Sequence, residues 1–394
     1  MRHLPNLSDH PERLLKAFYF LFFAAAASLL PFLVLFYEQL GLTGRQIGVL
    51  AAIPPLITMF AASFWGGLAD ATQQHHRLLG LAIISAMVAT LALRFSTTFW
   101  GLIVVVALFA FLAAPIIPLV DNSALECLGK RKNQYGKLRL WGAVGWGVAA
   151  PVIGWLVEQF GLGWSFYGYI LFMFIGLFVS FRLPITHTSI GGAFWRGFRL
   201  LMGNRQWLFF LTVMFIAGLG SALVHNYLFL YMNHLGASET LMGLALTTAT
   251  LSELVIFSLS DRLLDRWGTR KLLVISFLAM IARLLVYSFI QIPWLVLPAQ
   301  LLHGFSFSAR WVAGVAYANK IAPAGMGATA QGLFTGVSMG LATAVGAFTG
   351  GVLYESVGPF MMYRWAGIGI LVMLSLLGLV GKFLLNLTPA PVES

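Results

Sequence analysis

The chain has 394 residues; 59% are hydrophobic, 9% are Asp, Glu, Lys or Arg, and the formal net charge is +11. A soluble domain carries roughly 25% charged residues, so this composition excludes a water-soluble globular enzyme, a disordered chain and, despite the positive charge, a groove-type nucleic-acid binder. The single cysteine, Cys127, excludes a disulfide framework and any CxxC metal site.

A bilayer core needs about 20 apolar residues per helix. Twelve such runs follow one another: 17–37, 46–69, 78–94, 100–127, 140–160, 165–182, 207–231, 241–260, 272–290, 294–319, 328–355 and 361–387. The first follows Arg13 and Lys16 and lacks a cleavage-type ending, so it reads as a span and not as a signal peptide. Pro31, Pro54, Pro55, Pro115, Pro118 and Pro151 fall inside runs, which neighbouring membrane helices tolerate. No run alternates with the period of a barrel strand. The expected fold is therefore an all-α integral membrane protein of twelve transmembrane helices. The longest polar loop, 183–206, is expected to be a cytoplasmic linker between six-helix bundles at 1–182 and 207–394.

The placement of Lys and Arg sets the expected orientation. Of the 24, 19 fall on the side of the N-terminus and 3 on the other side, while Arg283 and Arg310 fall inside spans. This bias puts both termini in the cytoplasm of a cell whose inner membrane holds the protein, with anionic lipid headgroups attracting the basic loops. The positive charge thus marks orientation, and no nucleic-acid partner is expected.

The two halves repeat. Leu40-Gly41 and Gly48 match Leu235-Gly236 and Gly243 at an offset of 195, as do Asp70 and Asp265. Gly154, Glu158 and Gly161 match Gly351, Glu355 and Gly358 at an offset of 197. Two halves in the same orientation imply a pseudo-two-fold axis along the membrane normal and a cavity between them at mid-membrane.

An ionisable residue inside a span costs at least ~2.5–3.5 kcal/mol, which makes it a functional candidate by default. By the rise of a helix, Glu253 lies about 18 Å from one face, Arg283 about 17 Å from the other, and His303 about 14 Å from the first. Three such groups on consecutive spans read as one proton-coupling site, because a carboxylate whose cationic partner withdraws inside an apolar cavity binds a proton. A purely structural Glu253–Arg283 ion pair is the competing reading. In the first half, Asp121 follows Pro115 and Pro118, Arg139 opens the next span, and Trp146 lies seven residues further on one helix face. An acid, a guanidinium and an indole suit a polar ring or an anionic solute, although Arg139 sits where it also reaches the interface by snorkelling. The glycines Gly142, Gly145, Gly147 and Gly154 on span five, and Gly332, Gly336 and Gly340 on span eleven, read first as close helix contacts. Tyr19, Phe22, Tyr227 and Tyr231 line the cavity or pack equally well.

Gly66-Gly67-Leu68-Ala69-Asp70 with Arg77 resembles the cytoplasmic loop motif of the major facilitator superfamily. Asp265-Arg266-Trp267-Gly268-Thr269-Arg270-Lys271 is the better copy; the first has Gln73-Gln74-His75-His76 where the family has Gly and basic residues. The resemblance implies a conformational latch of Asp70, Asp265, Arg266, Gly268 and Arg270, a carboxylate at one helix end docking on a neighbouring helix N-terminus; plain positive-inside decoration is the alternative. Pro118-Leu119-Val120-Asp121 and Tyr135-Gly136-Lys137-Leu138-Arg139-Leu140-Trp141-Gly142 resemble the phenylpropionate permease family, as do Glu253, Arg283 and Leu301-Leu302-His303. More distantly the chain is similar to the lactose permease and other oligosaccharide–proton symporters. That likeness implies sugar-type contacts at Asp121, Arg139, Trp146 and Glu253, and proton coupling at Arg283 and His303. Ser306 stands where the permease has its coupling Glu, so Glu253 or His303 is left to carry the proton. Arg310 adds a positive charge suited to an anionic substrate.

These features imply a monomeric secondary transporter that imports a small organic solute (an aromatic carboxylate, a nucleoside or a sugar) as a proton symporter. A proton-driven exporter of amphipathic compounds is the alternative, and a channel fits two pseudo-symmetric halves less well. The proton gradient is the expected energy source and no cofactor is expected. The eight His are scattered without metal-ligand spacing, no nucleotide-binding motif is present, and no constellation for an intramembrane enzyme is found.

Overall fold

The computed structural model describes residues 9–183, 194–323 and 325–386. Arg2, His3, His187 and the rest of linker residues 184–193, together with the side chain of Asp70, lie outside the described residues. The first half consists of α1 (Asp9–Gln39), α2 (Gly44–Thr72), α3 (His75–Phe95), α4 (Phe99–Ala113), α5 (Ile116–Leu128), α6 (Tyr135–Phe160) and α7 (Gly163–Ser180). A short helix, α8 (Phe194–Met202), leads into the second half. That half contains α9 (Arg205–His234), α10 (Glu239–Ser258), α11 (Ser260–Tyr287), α12 (Val296–Gln300), α13 (Arg310–Ile321), α14 (Gly327–Thr335) and α15 (Ala342–Asn386).

Among the described residues, nine stretches are long and apolar enough to cross a membrane. The last, Thr329–Leu379, covers run 328–355 from Thr329 onward and run 361–387 as far as Leu379, divided where the chain turns at Gly358. Run 272–290 falls mostly on α11, where a span-length window ending at Tyr287 takes in Arg270 and Lys271 as well as Arg283. Run 294–319 spans α12, a π-helical stretch at Gly304–Ala309, and α13. Each half interrupts its fourth span. Pro115 separates α4 from α5, and the π-helical stretch separates α12 from α13. Such interruptions free backbone groups and redirect side chains, and they recur at functional sites.

The internal repeat appears as matched local geometry. Thr43 and Ser238 cap α2 and α10, accepting hydrogen bonds from the backbone N–H of Gln46 and Leu241. Gly41 and Gly236, just before them, have φ of 75° and 76°, which only glycine adopts without steric penalty. Large apolar side chains such as Val104, Leu108, Leu171, Phe174, Val274 and Leu278 are exposed on the outside of the bundle, as a lipid-facing belt requires.

Small residues bring helices close. α1 packs on α6 and α7, and α9 packs on α15. Between the halves, α6 packs on α10 and α2 on α15. A Cβ on Gly145 would collide with the backbone of Phe20 in α1, whereas Gly66 has nothing within 4 Å. Gly145→Ala is therefore expected to lower stability by about 1–3 kcal/mol. Gly66→Ala is expected to raise it by about 0.5–1 kcal/mol through backbone entropy. Thermal unfolding in detergent reads both, and equal effects of the two substitutions would contradict the packing argument.

The halves meet mainly at one end of the bundle, which carries residues 40–43, 161–162, 235–238 and 358. There Glu355 accepts from the backbone N–H of Arg45 at 2.8 Å and pairs with its Nε at 3.5 Å. Glu158 accepts from the backbone N–H of Thr240 at 3.1 Å. Glu38 accepts from Asn233 at 2.9 Å and from the Tyr354 hydroxyl at 3.0 Å. Deeper in the bundle, Thr247 donates to the Gly147 carbonyl at 2.7 Å. Among the described residues no hydrogen bond or ion pair joins the halves at the opposite, basic end.

Candidate functional site

In the first half, Asp121 on α5 and Arg139 on α6 form an ion pair at 2.6 Å. The Tyr19 hydroxyl of α1 donates to the other Asp121 oxygen at 2.6 Å, and Arg139 also donates to the Tyr135 hydroxyl at 3.0 Å. The guanidinium lies 5.8 Å from the Tyr19 ring centroid and 5.4 Å from that of Phe23, within cation–π range. Arg139 is thus held by a carboxylate, a phenol and two rings, and its charge is balanced locally.

In the second half, Arg283 on α11 is almost fully buried. Its Nε donates to the Tyr287 hydroxyl at 3.0 Å, and Nη2 donates to Gln300 Oε1. Nη1 donates to His303 Nδ1 at 2.9 Å and reaches Ser306 Oγ at 3.5 Å. His303 Nε2 faces Glu253 Oε2 at 3.5 Å. The three groups expected at one depth are therefore brought together, with the imidazole standing between the acid and the guanidinium. Arginine has only donors, so Nδ1 must accept, and in the neutral ring the proton sits on Nε2, towards Glu253. A proton placed on Nδ1 would face an N–H of Arg283 and break that contact. The π-helical stretch carries Phe307, whose ring stacks on His303 at 5.2 Å and an interplanar angle of 3°. That stack fixes the imidazole plane.

Arg310 opens α13 and is also buried. Its Nη2 donates to Ser221 Oγ on α9 at 2.8 Å, and its Nη1 is buried without a partner. One turn beyond Ser221, His225 is exposed and stacks on Trp146 of α6, in the other half, at 6.4 Å and 25°. Trp146 thus reaches across to the second half, and does not stand over the Asp121–Arg139 pair.

The latch residues Asp265, Arg266 and Arg270 are exposed on α11, and among the described residues none of them is in an ion pair. The helix turns at Gly268, with φ 69°. The equivalent place after Asp70 is Gln73, with φ 56°. Among the described residues, no group of three His, Cys, Asp or Glu is placed to hold a metal ion.

Sequence reasoning missed Gln300, Tyr287 and Ser221. Gln300 is one turn before His303 and Tyr287 one turn after Arg283, so helical spacing around each charged residue was the available signal. Ser221 carries no such mark.

The model of the MFS_1 like family matches residues 13–365 of the chain. The maltose permease of Geobacillus stearothermophilus is 30% identical over 94% of this chain and 92% of its own length. A protein of Escherichia coli (strain K12) described as "Probable 3-phenylpropionic acid transporter" is 26% identical over 86% of this chain and 90% of its own. The crystal structure of the nucleoside transporter NupG superposes with a TM-score of 0.83 over 94% of this chain and 99% of that one, at 17% identity, which speaks to fold alone.

Proposed function

This chain belongs to the MFS_1 like family of the major facilitator superfamily, and on that premise we propose that it imports a small organic solute with protons. It is a multi-pass membrane transporter of small solutes and not an enzyme. The finer reading is a monomer in the inner membrane with both termini cytoplasmic. The positive-inside bias then turns the basic end to the cytoplasm, and the closed end outward. Alternating access follows from two halves that rock about a central crevice.

The observation that carries proton coupling is the Glu253–His303–Arg283 chain. Protonation of His303 at Nδ1 must break its contact with Arg283, which keeps Tyr287 and Gln300, so one proton changes which buried partners a guanidinium holds. Release of a buried partner is costly unless another acceptor is offered, which links proton uptake to what else occupies the crevice. The solute contacts Asp121, Arg139 and Trp146 of the first half and Glu253 and Arg310 of the second. Asp70, Asp265, Arg266, Gly268 and Arg270 latch the basic end in the outward-open state. Relatives named for maltose and 3-phenylpropionic acid support a sugar or an aromatic carboxylate as cargo, with a nucleoside as the third candidate class.

The test is uptake by proteoliposomes under an imposed pH gradient, across aromatic acids, nucleosides and sugars. Accumulation with inward-directed protons is expected. Extrusion would make the chain an exporter, and no gradient-driven movement of any solute would overturn the reading. Asp121→Asn leaves Arg139 without its counter-ion. It is expected to raise the KM for the transported solute on the order of tenfold, the scale of one charged hydrogen bond. An unaltered KM would move the binding site elsewhere.

A further inference from the structure

The charged groups at the level of the site do not balance. Asp121 neutralises Arg139 at 2.6 Å, and Glu253 serves Arg283 through His303. Arg310 has no carboxylate partner among the described residues. It is 4% exposed, its hydrogen-bond partner among the described residues is the neutral Ser221 hydroxyl, and its Nη1 is buried with no partner among them. An isolated buried cation costs several kcal/mol, and an unsatisfied buried donor adds to that. Among the described residues nothing repays this, because no second partner completes the guanidinium.

We propose that Arg310 is the seat for the anionic group of the solute, so that the cargo is an aromatic monocarboxylate. This rests on the transporter reading above and narrows its substrate class. A planar guanidinium presents two parallel N–H groups that match two carboxylate oxygens and gain a counter-charge from them, whereas the vicinal hydroxyls of a sugar or ribose can accept from the same groups but leave the cation unneutralised. The carboxylate takes the place of Ser221 Oγ on Nη2 and completes Nη1. From that position the body of the solute meets His225, one turn along α9, and the indole of Trp146 stacked on it. The two stacked rings are flat π systems, which suit a ring. Bringing Trp146 of the first half and Arg310 of the second onto one solute also ties binding to the approach of the halves.

The experiment is isothermal titration of the purified full-length protein in detergent. The probes are benzoate, 3-phenylpropionate and indole-3-acetate, each against its neutral amide, with maltose and uridine alongside. At least one acid is expected to bind on the order of tenfold or more tightly than its amide, the worth of a charged hydrogen-bond pair. Arg310→Gln is expected to bring that acid down to the level of its amide, and Arg310→Lys to restore part of the difference. Ser221→Ala keeps the charge and removes the competing acceptor, so acid affinity is expected to hold or rise. Acids and amides binding alike, or an acid preference that survives in Arg310→Gln, overturns the proposal. Binding of maltose or uridine with no acid bound overturns it while leaving the transporter reading intact. Silence from every probe, joined to failure of gradient-driven uptake in proteoliposomes, sinks both.

Discussion

Glu253→Gln is expected to abolish accumulation of solute against its gradient while leaving downhill exchange running. The wild-type carboxylate faces Nε2 of His303 at 3.5 Å, and Nδ1 of the same ring accepts from Arg283 at 2.9 Å. Glutamine keeps the size of the side chain and an acceptor oxygen for Nε2–H, so packing around the imidazole is preserved. It removes the ionisable group on which a proton would reside between one side of the membrane and the other. One pH unit is worth about 1.4 kcal/mol per proton, so single-proton symport sustains about tenfold accumulation under that gradient. In the variant the ratio is expected to fall to about one, with counterflow exchange of labelled solute still measurable. Tenfold accumulation persisting in the variant would take Glu253 out of the coupling and leave His303 to act without it.

How much of this site is readable from the chain depends on the residue type. Glu253, Arg283 and His303 stand out because charge inside an apolar run is expensive, and their depths follow from counting along the helix. Their order in space does not follow. The imidazole lies between the other two because the π-helical stretch at Gly304–Ala309 sets its register and Phe307 stacks against it, and both depend on tertiary packing. Gln300 and Tyr287 complete the shell of Arg283, yet neutral polar residues inside a span leave no mark in composition. Trp146 illustrates the limit of helical periodicity. It shares a face with Arg139, but the opposite half supplies His225 as its partner, and no single-helix pattern contains that contact. The repeats fare better, since Glu158 and Glu355, matched by sequence offset alone, make the same kind of contact with the opposite half.

Those two glutamates and the glycines beside them frame the second large expected effect, on the balance between conformations. Glu158 and Glu355 each receive the first turn of a helix from the other half, but at an exposed end solvent screens such contacts and they contribute little. The glycine contacts are different in kind. A Cβ on Gly243 would meet Pro151 Cα at 2.6 Å and the Ala150 carbonyl, and a Cβ on Gly154 would meet the backbone of Glu239. Backbone cannot rotate aside, so the strain is relieved only if α6 and α10 part. At about 1–3 kcal/mol for overpacking, Gly243→Leu is expected to favour the form open at this end by roughly tenfold or more. Glu158→Gln and Glu355→Gln are each expected to change the balance only a few-fold. Phe229, 2% exposed and packed on Phe32 of the other half at 5.0 Å, reports the opening once replaced by cysteine. With Cys127 changed to serine, the rate at which a membrane-impermeant maleimide labels position 229 is expected to rise about tenfold in Gly243→Leu. A labelling rate unchanged by Gly243→Leu would mean that the halves do not separate along this seam, and the hinge of the transport cycle would have to lie elsewhere.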